Sequence, residues 1–228
     1  MIRPPRRAGR REPDADAATL ARESRLRADR DLLATVDGAL SVGARRAGSE
    51  LACRPGCSEC CVGPFPINRL DAWRLGEGMA ELQRRDPERA AALLERARRA
   101  VETGRATFPG DAEKGRLSGD ESAEDAFFEA QSALPCPALD PATQTCDLYA
   151  HRPMACRTYG LPVSFGGRNL PPCRLCFTRS TPEAIESCRV TPDRHGIEDA
   201  ILKRLRRDGG EESETIVAYA LLAGDGRG

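Results

Sequence analysis

The sequence predicts a mainly α-helical protein whose helices surround an irregular, cysteine-rich metal-binding centre, with a few short β-strands. Three observations predict it. Apolar residues recur at helical steps of three and four over long stretches, and charged residues, 31% of the chain, fill the remaining faces. Aromatic residues make up only 4%, so the core must lean on Leu, Ala, Val and Ile. Nine of the ten cysteines fall in two regions rich in Pro and Gly, where regular structure is broken.

The 228 residues suit one medium domain. It spans residues 14–228, with a helical insert at about 68–133, behind a basic tail at 1–13. That tail is dominated by Arg and Pro, offers nothing apolar to bury and is expected to be disordered. From Asp14 to about Ala47 the pattern is helical, with Leu26, Leu33, Val36 and Leu40 on one face. The stretch from Cys53 to Ile67 reads as loop. Asn68 is a candidate N-cap for the next helix, which carries Leu75, Met79 and Leu82. Asp86-Pro87 breaks it and starts another, with Pro87 in the first turn and an end near Gly104. The two read as a helical hairpin. Residues 104–122 look like a loop, and Ala123–Ala133 like a short helix.

Seven prolines lie between Leu134 and Cys176. Short strands are expected around Thr145–Tyr149 and Leu161–Phe165, with Gly166-Gly167 as a tight turn. Helix returns after Thr181-Pro182. There Ile197, Ile201 and Leu205 form one stripe, and Ile216 to Leu222 another.

The stretch CRPGCSECC places Cys53, Cys57, Cys60 and Cys61 in nine residues. Cys57 and Cys60 form a C-x-x-C pair, and so do Cys173 and Cys176. Two intervening residues let both sulfurs of a turn reach one ion, the recurrent zinc half-site; the same spacing serves iron–sulfur clusters and redox pairs. Adjacent side chains diverge on an extended backbone and stand about 100° apart on a helix. Cys60 and Cys61 are therefore expected to face different things. Cys136, Cys146 and Cys156 follow in CPALDPATQTCDLYAHRPMACR. Cys188 could be a ligand or a core residue.

These blocks resemble the CxxCxxCC family of zinc- or iron-chelating proteins. The residues that carry the resemblance are Cys53, Cys57, Cys60, Cys61, Cys136, Pro137, Leu139, Asp140, Cys146, Tyr149, Arg152, Pro153, Cys156 and Arg157. The resemblance implies a metal chelator. A flagellin lysine methylase carries a similar cluster, which implies an enzymatic branch. This chain, however, has no glycine-rich strand–turn–helix for a nucleotide-like cofactor. Cys173, Cys176 and Cys188 lie outside the core motif. His151 is inside it but is not required by it, and reads as a turn residue. His195 precedes a helix and is expected at the surface. Arg152 and Arg157 stand where they could offset the charge of metal-bound thiolates.

Composition narrows the function classes. Net charge is zero, so no bulk polyanion such as nucleic acid is favoured as a partner. No apolar run follows the basic N-terminus as a secretory signal requires, and none approaches the roughly 18 residues of a membrane span. The expected address is the cytoplasm, where clustered cysteines are more often metal ligands than disulfides. The expected ligands are Cys53, Cys57, Cys60, Cys61, Cys136, Cys146, Cys156, Cys173 and Cys176, holding one or two centres. Zinc and iron–sulfur both suit all-thiolate ligation. Cysteine number, the adjacent doublet and the near absence of histidine lean toward iron–sulfur. A cluster-dependent methyltransferase or oxidoreductase, and a metal-free disulfide redox protein, are the alternatives.

Overall fold

A single 34-residue helix, α1 (Asp14–Ala47), opens the computed structural model. The structure describes residues 14–207 and 213–223, so the expected basic tail at 1–13 lies outside the described residues. The buried stripe of α1 is Asp29, Leu32, Val36, Gly43 and Ala47. Leu33 and Leu40 flank that stripe rather than lead it, and the innermost residue is Leu32. The rotation of the helix follows from Asp29, a carboxylate buried against an arginine of the next helix.

Helices α2 (Arg69–Arg85) and α3 (Pro87–Gly104) form the expected hairpin. Asn68 Oδ1 accepts the Asp71 N–H at 3.0 Å, and Asp86 Oδ1 accepts the Arg89 N–H at 3.0 Å. Each cap satisfies a backbone donor that the helix cannot, a contribution of about 1 kcal/mol. The hairpin packs on the last helix, α8 (Val217–Ala223), through Leu75, Met79, Leu82, Leu93, Ala97 and Leu221. Ile67 and Thr215 exchange backbone hydrogen bonds and bring α8 to the start of α2.

The segment expected as loop contains a two-residue pair of strands, β1 (Gly110–Asp111) and β2 (Arg116–Leu117). It leads to α4 (Glu121–Ala130), whose N-cap is Asp120. Next, β3 (Leu139–Asp140) pairs antiparallel with β4 (Thr145–Cys146), Leu139 opposite Cys146. The strand expected to run to Tyr149 stops at Cys146. Asp147 is drawn under α3 by two arginines, and residues 149–151 wind into a single 3₁₀ turn before α5 (Met154–Thr158). β5 (Val163–Phe165) and β6 (Arg168–Leu170) pair around Gly166-Gly167 as expected. Helices α6 (Pro182–Ser187) and α7 (Ile197–Arg207) follow.

The fold is mainly α, and among the described residues the strands form only short antiparallel pairs. Two apolar clusters border the cysteine-bearing loops. One lies among α2, α3 and α8, with Cys136 and Cys146 packed against it. The other joins the end of α1 to Leu161, Val163, Phe177 and Val190, and contains Cys173, Cys176 and Cys188. Among the described residues no helix is long and apolar enough to cross a membrane.

Candidate metal centre

All ten cysteines are free thiols. The first cysteine block is a chain of tight turns: Cys57 N–H donates to Arg54 O at 3.0 Å and Cys61 N–H to Ser58 O at 2.8 Å. Pro55 and Gly56 rule out a helix through it, as the sequence implies. Cys60 and Cys61 lie on the Ser58–Cys61 turn, and each thiol shifts the acidity of the other.

Around this doublet stand Cys136, Cys146 and Cys156. The Cys136 N–H donates to Cys61 O at 2.8 Å, and Gly63 N–H to Leu134 O at 2.7 Å, which lays the two segments side by side. The β3–β4 hairpin carries Cys146, and α5 carries Cys156. Cys136 and Cys146 help to raise Cys61, and the sulfurs of Cys136, Cys146 and Cys60 help to raise Cys156.

The Cys53 thiol is raised by burial and then by the sulfurs of Cys176, Cys173 and Cys57. Cys176 Sγ accepts the Ala52 N–H at 3.4 Å, and Cys173 N–H donates to Gly160 O at 3.2 Å. Gly160 is required here. Its φ is +111°, and a Cβ would stand 2.7 Å from Cys53 Sγ. Cys188 is buried in the apolar cluster, its Sγ 3.9 Å from Ser187 Oγ.

The thiols are held mostly neutral. Burial, then neighbouring sulfurs, push Cys53 up to about 12. Burial likewise pushes Cys136 up to about 11 and raises Cys146, Cys156 and Cys173. Cys61 is raised because its thiol proton is shared with Cys60. The same hydrogen bond, helped by Arg152, brings Cys60 down to about 6.

Arg152 stacks on the Tyr149 ring, 4.0 Å from its centroid, and donates to Tyr149 O at 2.8 Å. It acts on both Cys60 and Cys146. Arg157 does something else. It is buried, donates to Asp37 at 2.9 Å and to Arg152 O, and so ties α5 to α1. His151 faces Glu81 of α2 at 3.1 Å, and His195 is exposed. Neither belongs to a thiol group.

Sequence reasoning missed the supports. Arg74 is buried between Asp29, at 2.5 Å, and Asp71, at 2.5 Å. Asp71 Oδ1 accepts the Met154 N–H at 2.9 Å, fixing the start of α5. Asp147, beside Cys146, is clamped by Arg89 and Arg96, and Arg96 also donates to Pro137 O at 2.9 Å. As they stand, no three His, Cys, Asp or Glu side chains among the described residues are placed to hold one metal ion. The donor set itself is soft and all-sulfur, suited to zinc or iron.

Residues 52–174 match the model of the CxxCxxCC family, described as a putative zinc- or iron-chelating domain. The chain belongs to that family. No curated protein and no solved structure matches it.

Proposed function

We propose that the chain chelates metal through Cys53, Cys57, Cys60, Cys61, Cys136, Cys146, Cys156, Cys173 and Cys176, with an iron–sulfur cluster favoured over bare zinc at the Cys60–Cys61 doublet. One observation carries the reading: the Cys136 N–H bond to Cys61 O, at 2.8 Å, and the β3–β4 pairing bring the segments of Cys60, Cys61, Cys136 and Cys146 side by side, and the sulfurs of Cys136, Cys146 and Cys60 in turn help to raise Cys156. Inert core cysteines have no reason to converge in this way. Five thiols exceed the four that a closed zinc site takes, and histidine is absent from the group. An iron–sulfur cluster supplies electron-transfer chemistry when bound; zinc supplies cross-linking.

The chain's own residues do the holding. Asp71 places α5 and so Cys156. Asp147, Arg89 and Arg96 place the β3–β4 hairpin and so Cys146. Arg152 offsets thiolate charge at Cys60 and Cys146.

The test is purification without oxygen, followed by visible absorption and assay of zinc, iron and acid-labile sulfide per chain. A brown protein with iron and sulfide is expected. A colourless zinc protein retains chelation but removes the cluster. A folded protein with neither metal overturns the reading.

A further inference from the structure

A cleft of about 430 Å³ opens where the start of α2, the β1–β2 turn and the segment leading into α8 meet. Arg69, Lys114 and Arg116 line it, with Ser213, Thr215 and Tyr219. Glu214 is the one carboxylate among the described residues of the lining, and no cysteine belongs to it. Backbone bonds fix the three segments. Leu117 N–H donates to Glu214 O at 2.9 Å, and Thr215 N–H to Ile67 O at 3.0 Å, two residues before Arg69. Tyr219 locks the turn: its hydroxyl donates to Ala112 O at 2.8 Å and its ring covers Gly115. Gly115 has φ +66°, and a Cβ there would stand 2.2 Å from the ring. Only glycine meets both demands. The cations that flank it in sequence, Lys114 and Arg116, are thus set in the cleft wall before any ligand arrives, which lowers the cost of binding.

We propose that this cleft binds a small organic phosphate ester. The proposal is independent of the metal-binding reading above. Three cations against one carboxylate leave a surplus of two positive charges in the lining, which a phosphate monoester dianion offsets. Asp111 approaches Lys114 only to 4.0 Å, and both side chains are exposed, so water screens that pair. The guanidinium groups of Arg69 and Arg116 carry the paired donors that suit phosphate oxygens, and Lys114 adds a point charge. The hydroxyls of Ser213 and Thr215 are further donors. The volume argues for more than a bare ion. It falls in the range of small-molecule sites, about 300–1,000 Å³, and inorganic phosphate would leave most of it unfilled. Ala72, Ala220 and Ala223 supply the apolar lining that the organic part of the ester covers. Binding is non-covalent and leaves the ester intact.

The test is titration calorimetry of the full chain with phenyl phosphate, inorganic phosphate and phenol, at low salt and about pH 8, where the ester is a dianion. Phenyl phosphate is expected to bind, inorganic phosphate at least about tenfold more weakly, and phenol not at all. Added NaCl should weaken the binding. Arg69→Gln and Lys114→Gln are each expected to weaken it about tenfold. Glu214→Gln, which removes the opposing charge, is expected to tighten it, a result that a misfolded variant cannot give. Metal content of the same samples should not change between wild type and variants. No binding of phenyl phosphate, or binding that all three substitutions leave unchanged, overturns the proposal. Inorganic phosphate binding as tightly as the ester overturns the assignment to an organic ligand. A wild type without metal that still binds phenyl phosphate sinks the metal reading and leaves the cleft assigned.

Discussion

Asp71 accepts the backbone N–H of Met154 at 2.9 Å, a bond between the helical hairpin and the helix that carries Cys156. The same carboxylate is held by Arg74, itself held by Asp29 of α1. Three segments distant in sequence thus meet at one buried charge network beneath the thiols. Asp71→Ala is expected to destabilise the fold by about 1–3 kcal/mol, because it leaves the buried Met154 N–H and one Arg74 N–H without their acceptor while Asp29 still balances the Arg74 charge. Asp71→Asn, which retains an acceptor for Met154, is expected to cost less. Urea midpoints of the three proteins check the order.

Asp147 clamps the cysteine hairpin to α3, and its side chain is only 1% exposed. Asp147→Ala is expected to cost about 1–3 kcal/mol, less than Asp71→Ala, because Arg89 and Arg96 can still reach water. Arg89→Ala should cost less again, since that side chain is 40% exposed. Thermal unfolding of both variants measures the difference.

Gly160 has φ +111° and no room for a Cβ beside Cys53 Sγ. Gly160→Ala is expected to lower stability by about 1–3 kcal/mol and to displace the Cys53 sulfur. Elemental analysis should find less metal per chain than in wild type. Unchanged metal content would mean that Cys53 is not a ligand.

Burial and the nearby Asp71 raise the Glu198 carboxyl to about 7, against the Asn68 and Arg74 contacts that lower it. Asp29 and Asp193 also face this network. A raised acid binds its proton more tightly folded than unfolded. Its contribution is therefore full below about 4.5 and lost as pH rises through about 7. Glu198→Gln removes that loss. Relative to wild type, the variant should gain stability between pH 5 and about 7.5, by an amount on the order of a few kcal/mol at most. Paired urea titrations at the two pH values read the sign.

Arg152 lies over the Tyr149 ring and beside Cys60. Arg152→Ala is expected to speed metal loss to a chelator by about 10- to 100-fold, with the metal-free protein's melting temperature little changed. Equal metal retention would assign Arg152 to packing on Tyr149 alone.

The helices were legible because their signals are local. Caps at Asn68 and Asp86, Pro87 in a first turn, and the Ile197, Ile201, Leu205 stripe need no knowledge of what packs against them. Asp29 and Arg74 were not legible, since a charge within an amphipathic pattern reads as solvent-facing until its partner is known. The same limit applied to the cysteines. Spacing identified C-x-x-C pairs at Cys57 and Cys60 and at Cys173 and Cys176, but not the long-range backbone bonds, Cys136 to Cys61 and Phe177 to Glu50, that lay distant cysteine-bearing segments side by side.

The stitching of residues 50–53 to 173–180 also imposes an order in time. Roughly 115 residues of synthesis separate Cys57 from Cys173, and a ribosome adding about 5–20 residues per second needs several seconds to cross them. The N-terminal segment therefore emerges long before its partner exists, whereas Cys60 and Cys61 meet Cys136 and Cys146 sooner. During nascent growth the pairing of Cys61 with Cys136 can form first, and the join of residues 50–53 to 173–180 closes after it. Until then Ala52 lacks the Cys176 sulfur that accepts its N–H and the Cys53 thiol stands without Gly160 beside it, so a reducing environment during translation becomes a condition of yield.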